Sequence, residues 1–148
     1  MKEMIRKFQE HDTDALLSVW YNANKLAHPF LSENFIAAIK LKVRDIYLPN
    51  TETWVAEQGD NIIGFISLLH SEGERSEVGA LFVEPDFIGK GFGRLLMDQA
   101  VSINPKLTLD VFKENHIGRR FYERYGFHQV KKYVFDPTGD MVLTLTLD

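Results

Sequence analysis

The chain has 148 residues, a length that fits one domain burying its own core. It is 45% hydrophobic and 26% charged with a formal charge of −4, an ordinary balance without the basic excess that nucleic-acid binding requires. There is no cysteine, which excludes disulfides, thiolate metal sites and a cysteine nucleophile.

"MKEMIRKFQE" alternates charged and apolar residues and has no signal-peptide run. "IIGFISLL" (Ile62 to Leu69), the most apolar stretch, is too short to span a bilayer. The expectation is a cytoplasmic, single-domain protein over residues 1–148, with no membrane, nucleic-acid or metal partner. A first strand is expected over Glu3–Gln9. Asp12 is expected to cap a helix whose face carries Ala15, Leu16, Val19, Trp20 and Ala23. "HPF" (His28 to Phe30) ends it, because proline disfavours helix in the residue before it. Ser32 opens a second helix with Phe35, Ile36, Ile39, Val43 and Ile46 as its buried stripe.

"TWVAE" and "NIIGFISLLH" flank "QGD" and read as a hairpin, followed by a strand over Glu77–Val83. A third helix turns Phe92, Leu95, Leu96, Ala100 and Ile103 inward and stops before Pro105. A strand over Leu107–Val111 leads to a fourth helix over Asn115–Phe127, ended by Gly126, and "DPTGD" joins two closing strands. Long hairpins favour antiparallel pairing, while the third and fourth helices join strands that could lie parallel. The fold class is α/β: a mixed, mostly antiparallel central sheet of about seven strands with helices on both faces.

Between strand and third helix, "IGKGFGR" places Gly89, Gly91 and Gly93 around Lys90, just before Arg94. Glycine inside a helix costs roughly 1 kcal/mol relative to alanine. A helix N-terminus with unpaired N–H groups and glycines that admit close approach suits a bound phosphate. The alternative is a connecting turn. The spacing matches neither the dinucleotide fingerprint nor the P-loop.

"EVGALFVEPDFIGKGFGRLLM" resembles the acetyl-CoA-binding motif of the GNAT acetyltransferase superfamily, with Gly91 and Gly93 in its glycine places and Ile88 where arginine or glutamine is usual. "DVFKENHIGRRFYERYGF" resembles the motif that follows it there, with Gly118 where alanine is usual. The resemblance runs from about Thr53 to the end. It implies that the loop of Ile88, Gly89, Lys90, Gly91, Gly93 and Arg94 holds the coenzyme pyrophosphate, mainly through backbone N–H groups, and that Asn115 meets the pantetheine arm. Lys113, Arg119, Arg120 and Arg124 make the fourth helix basic, which places Arg119 or Lys113 at the ribose phosphate or else forms a solvated charged face. The resemblance also implies transfer of an acetyl group from acetyl-CoA to a small-molecule or peptide amine by direct attack in a ternary complex, by a monomer or homodimer.

Such a transfer needs a base, since an ammonium has no lone pair, an N–H donor to the thioester carbonyl, and an acid for the thiolate. The backbone of Leu81, Phe82 and Val83, freed by a bulge there, is the expected donor. Glu77 is the candidate base, with His70, His28 or water as alternatives. Tyr122 is the candidate acid, provided that Phe121 packs under the sheet and leaves Tyr122 facing the cleft. Tyr21, His28 and Phe30 are expected to line the acceptor site. The alternative from another class is a non-catalytic acyl-CoA-binding regulatory module, which would need the glycine loop but neither base nor acid.

Overall fold

Each helix is bounded by local chemistry, and those boundaries place the strands between them. The computed structural model describes residues 4–148, so Glu3, expected to open the first strand, lies outside the described residues. Seven strands, β1 (Met4–Lys7), β2 (Glu52–Gln58), β3 (Asn61–His70), β4 (Ser76–Val83), β5 (Leu107–Phe112), β6 (His128–Phe135) and β7 (Asp140–Leu147), form one sheet ordered β1-β2-β3-β4-β5-β7-β6. Every neighbouring pair is antiparallel except β4 and β5. The strand β6 points the same way as β5, but β7 lies between them, so only one of the two expected parallel contacts forms.

The helices are α1 (Thr13–Ala27), α2 (Glu33–Lys42), α3 (Phe92–Ile103) and α4 (His116–Tyr125). On one sheet face α1 and α2 cover Leu16, Trp20, Ile36, Val55 and Phe65. On the other, α3 and α4 cover Ile66, Leu68, Leu96, Met97, Leu109 and Tyr122. Alternation along the strands supplies both cores at once, as Val55 and Ala56 do. Among the described residues no helix is long and apolar enough to cross a membrane.

Several local expectations are corrected. Asp12 does not cap α1: its carboxylate accepts from Arg6 at 2.8 and 2.9 Å and from the Gln9 N–H at 2.8 Å, an ion pair the spacing did not disclose. Ala15 is exposed on α1. Ser32 does cap α2, accepting from the Phe35 N–H at 3.1 Å. However, α2 runs into a π-helical turn at Val43–Tyr47, whose extra residue per turn rotates the apolar stripe, leaving Ile46 49% exposed. In α3 the buried stripe is Phe92, Leu96, Met97 and Ala100, while Leu95 and Ile103 face outward.

Candidate active site: the split between two parallel strands

The parallel contact between β4 and β5 lasts for two residue pairs, Ser76 with Leu107 and Glu77 with Thr108. Beyond them the strands part, and a cleft opens toward the N-termini of α3 and α4. The cause is local. The register of β3 against β4 jumps between Ser67–Ala80 and Leu68–Val78, so Gly79 is an inserted bulge residue. The bulge lies two residues before the expected Leu81–Val83 segment, at the glycine, which has no side chain to pack.

The shift restores a usable edge. The Glu84 N–H donates to the Ile63 carbonyl at 2.7 Å. In an antiparallel pair such bonds fall on alternate residues, so Phe82 and Ala80 also pair with β3. Leu81 and Val83 therefore turn their N–H and C=O groups toward the cleft, where β5 no longer answers. Phe82, grouped with them in the sequence reading, instead aims its ring at the α1 side.

At the end of β4, Ile88–Gly91 form the turn into α3. Gly89 and Gly91 have φ of 84° and 93°, a left-handed backbone that favours glycine, and a Cβ on either would meet nothing within 4 Å. Leu95 N–H donates to the Gly91 carbonyl at 3.1 Å and closes the first helical turn, so the amides of Phe92, Gly93 and Arg94 are the unpaired N-terminal donors. Open space, free donors and the positive end of a helix dipole suit a diphosphate. Gly93 has a different reason to be glycine: a Cβ there would press the Phe121 ring at 3.3 Å, so it permits α3 and α4 to pack. Lys90 and Arg94 are exposed, and Ile88 is 41% exposed with no role in the turn's hydrogen bonding beyond donating to the Pro85 carbonyl.

Across the cleft, Asn115 is buried and caps α4, its Oδ1 accepting from the Gly118 N–H at 2.9 Å. A Cβ at position 118 would lie 2.6 Å from Asn115 Nδ2, so glycine in place of alanine makes room for this rotamer. The Nδ2 group remains a donor for a ligand. Arg119 donates to the Lys113 carbonyl at 2.9 Å. Tyr122, expected to be the freer of its pair, is the more buried: 8% exposed, with its ring against Phe121 and Phe127. One residue step turns a helix by only about 100°, so a wide apolar stripe takes both rings. Burial pushes the Tyr122 hydroxyl above the ordinary phenol range, keeping it a donor, and it makes no hydrogen bond within the described chain.

The HPF break closes the cleft from the α1 side. The buried His28 ring stands edge-on to Phe82 of β4 (6.4 Å), Phe112 of β5 (5.1 Å) and Phe30 (5.7 Å), bridging the parted strands. His28 Nδ1 bonds Asn24 Oδ1 at 2.6 Å, and burial lowers its pKa to about 4, so it is neutral near pH 7. Tyr21 does not join this cluster. It sits two helical turns earlier, with its hydroxyl on Glu33 and Lys25 and Lys40 over its ring. His70 has both ring nitrogens engaged, by Ser76 Oγ at 2.7 Å and Glu52 at 2.8 Å.

On the same face lies a groove of about 400 Å³ lined by Glu77, Thr108, Leu109, Asp110, Lys131, Tyr133 and Thr144. Glu77 is half-buried and makes no hydrogen bond or ion pair among the described residues. Burial, and after it the charge of Asp110, raises its pKa above the ordinary carboxylate value. The sequence reading missed Asp110, Lys131, Tyr133 and Thr144. The one available signal was alternation in "LTLDV", which puts Asp110 on the face opposite Leu109.

The acetyltransferase (GNAT) domain family model matches residues 49–129. The chain is 34% identical over 127 residues to the peptidyl-lysine N-acetyltransferase YiaC of Escherichia coli strain K12, covering 86% of this chain and 84% of that one. It is 32% identical to the peptidyl-lysine N-acetyltransferase YjaB of the same strain, covering 91% and 88%. The solution structure of apo YjaB from Escherichia coli superposes with a TM-score of 0.84 at 31% identity, covering 99% and 98%. The PaiA N-acetyltransferase of Thermoplasma acidophilum, in complex with coenzyme A, shares the fold at TM-score 0.83 and 21% identity, over 97% and 98% of the two chains.

Proposed function

The chain belongs to the GNAT acetyltransferase family and is an acetyl-CoA-dependent N-acetyltransferase, and from that premise we propose that its acceptor is a lysine side chain within a peptide or protein. The observation that carries the proposal is the groove beside the strand split. It is open on the sheet face and presents Glu77 with no ion-pair partner among the described residues. The names of the two bacterial relatives support the same acceptor class.

The coenzyme fits the free amides at the start of α3, the left-handed glycines and the open edge of Leu81 and Val83. When bound it supplies an acetyl thioester. The chain's own groups divide the remaining work. Lysine has a pKa of about 10.4, so at pH 7 only about one molecule in 2,500 is free amine, a cost of roughly 4.6 kcal/mol. Glu77 takes that proton, and its raised pKa makes it a better acceptor than an ordinary glutamate. The amides of Leu81 or Val83 point donors at the thioester oxygen as charge gathers there. The Tyr122 hydroxyl holds a proton for the departing sulfur. His28, with its lowered pKa, orders the cleft and is a weak base.

The purified protein should acetylate N-terminally blocked lysine peptides, read as thiol release and a mass gain on lysine. Glu77→Gln should lower kcat/KM at neutral pH and recover at high pH, where free amine is abundant. Activity confined to spermidine or free amino acids would refute the peptide acceptor. An unchanged pH profile would refute Glu77 as the base.

A further inference from the structure

Asp110 shares the groove with Glu77 but is held in another way. Its Oδ1 accepts from Thr144 Oγ1 at 2.7 Å and its Oδ2 from the Tyr133 hydroxyl at 2.6 Å. The donors come from β7 and β6, so two strands fix the carboxylate in place. Both are neutral, so the bonds orient the charge without cancelling it. An ionised carboxylate has about four lone-pair sites, and these bonds use two.

Lys131 lines the groove, yet neither Asp110 nor Glu77 is within ion-pair distance of a cation among the described residues. Two carboxylates facing one groove with neither ion-paired is an unfavourable arrangement for folding alone. The titratable groups facing Glu77 are Asp110 from β5 and Lys131 and Tyr133 from β6, while β3 places the uncharged Leu69 opposite it. The bond to Asp110, then burial, pushes the Tyr133 hydroxyl up to about 12, so it stays a donor across the neutral range. Asp110 also stands two residues beyond Thr108, the last β5 residue paired with β4, and so on the wall where the cleft begins.

We propose that Asp110, fixed by Tyr133 and Thr144, is the docking carboxylate that selects a cationic acceptor and delivers its nitrogen to Glu77. Asp110 holds the ammonium by charge. Glu77, unpinned, accepts the proton. This rests on Glu77 being the base and on an amine acceptor of the lysine type.

The test compares a blocked lysine tripeptide with its norleucine twin, which keeps the chain length and lacks the nitrogen. Binding is measured at equilibrium in the presence of coenzyme A, and turnover with acetyl-CoA. Asp110→Asn should weaken lysine-peptide binding about tenfold or more and leave norleucine-peptide binding unchanged. It should raise KM more than it lowers kcat, and move the acidic limb of the kcat/KM profile to lower pH, because Glu77 loses a like-charged neighbour. Tyr133→Phe keeps the charge but loosens it, so it should raise KM about threefold with the limb unmoved; it stands in should Asp110→Asn fail to fold. Equal lysine and norleucine binding changes, or an unmoved KM, overturn the proposal. The two readings fail separately. A Glu77→Gln profile identical to the parent's removes the base, whereas loss of charge selection in Asp110→Asn alone is the signature of docking. A parent that binds both peptides equally overturns docking outright.

Discussion

Replacing Gly91 by alanine separates a coenzyme cradle from a mere turn. Gly91 caps α3 at φ 93°, and a Cβ there meets nothing within 4 Å, so the methyl group clashes with no part of the chain. Its cost is conformational, about 1–2 kcal/mol for an L-residue forced into the left-handed region. A chain of 148 residues has an unfolding entropy of about 0.3 kcal/mol/K. The ligand-free melting temperature should therefore fall by roughly 3–6 °C. Acetyl-CoA at about a hundred times its Kd stabilises the parent by roughly 2.7 kcal/mol, close to 9 °C on the same scale. The methyl group projects into the space assigned to the pyrophosphate, so the variant should lose most of that second shift as well. Valine would add β-branched strain at a positive φ and confuse the two effects. Ile88→Ala is the control: Ile88 is exposed, and both melting temperatures should stay near the parent's. The assay is thermal unfolding with and without millimolar acetyl-CoA. A variant that keeps the full coenzyme shift would show that the glycines serve only the turn. One whose ligand-free melting temperature is unchanged would refute the strain argument.

Tyr122→Phe should lower the single-turnover rate by about 10²-fold or more while leaving the melting temperature and coenzyme shift near the parent's. Its hydroxyl has no hydrogen-bond partner among the described residues, so removing it orphans none of them; a destabilised variant with unchanged chemistry would make Tyr122 a core residue only. The His28 pKa is lowered from 6.5 to about 4, so the unfolded chain takes up the proton first as pH falls. This stability is complete above about pH 6.5 and lost down to pH 4, amounting to about 2 kcal/mol by pH 5. Urea midpoints at pH 7.5 and 5 should converge more closely in His28→Gln than in the parent, and equal differences would refute neutral burial.

Features that depend on near neighbours were legible in the residues alone. Proline after His28 and before Lys106 ended two helices, Ser32 capped one, and Gly126 closed another. The spacing of Gly89 and Gly91 marked a loop whose backbone needs positive φ, a property of each residue alone. The strand order along the chain followed from alternation, and two motifs carried the family. Features that depend on register emerged with the folded sheet. The split of β4 from β5 follows from one inserted residue, Gly79, against a strand that runs the other way. The folded chain also decided that Leu95 and Ile46 face outward, that Tyr21 leaves the cleft to His28 and Phe30, and that Tyr122 is more buried than Phe121. Glu77, Asp110, Tyr133 and Thr144 lie on four strands, β4, β5, β6 and β7, and meet only because β7 inserts between β5 and β6. Periodicity says which face of a strand is polar, but not which other strand will stand beside it. That choice is made by long-range pairing, where each contact closes a loop of tens of residues whose ends carry no mutual signal in the chain.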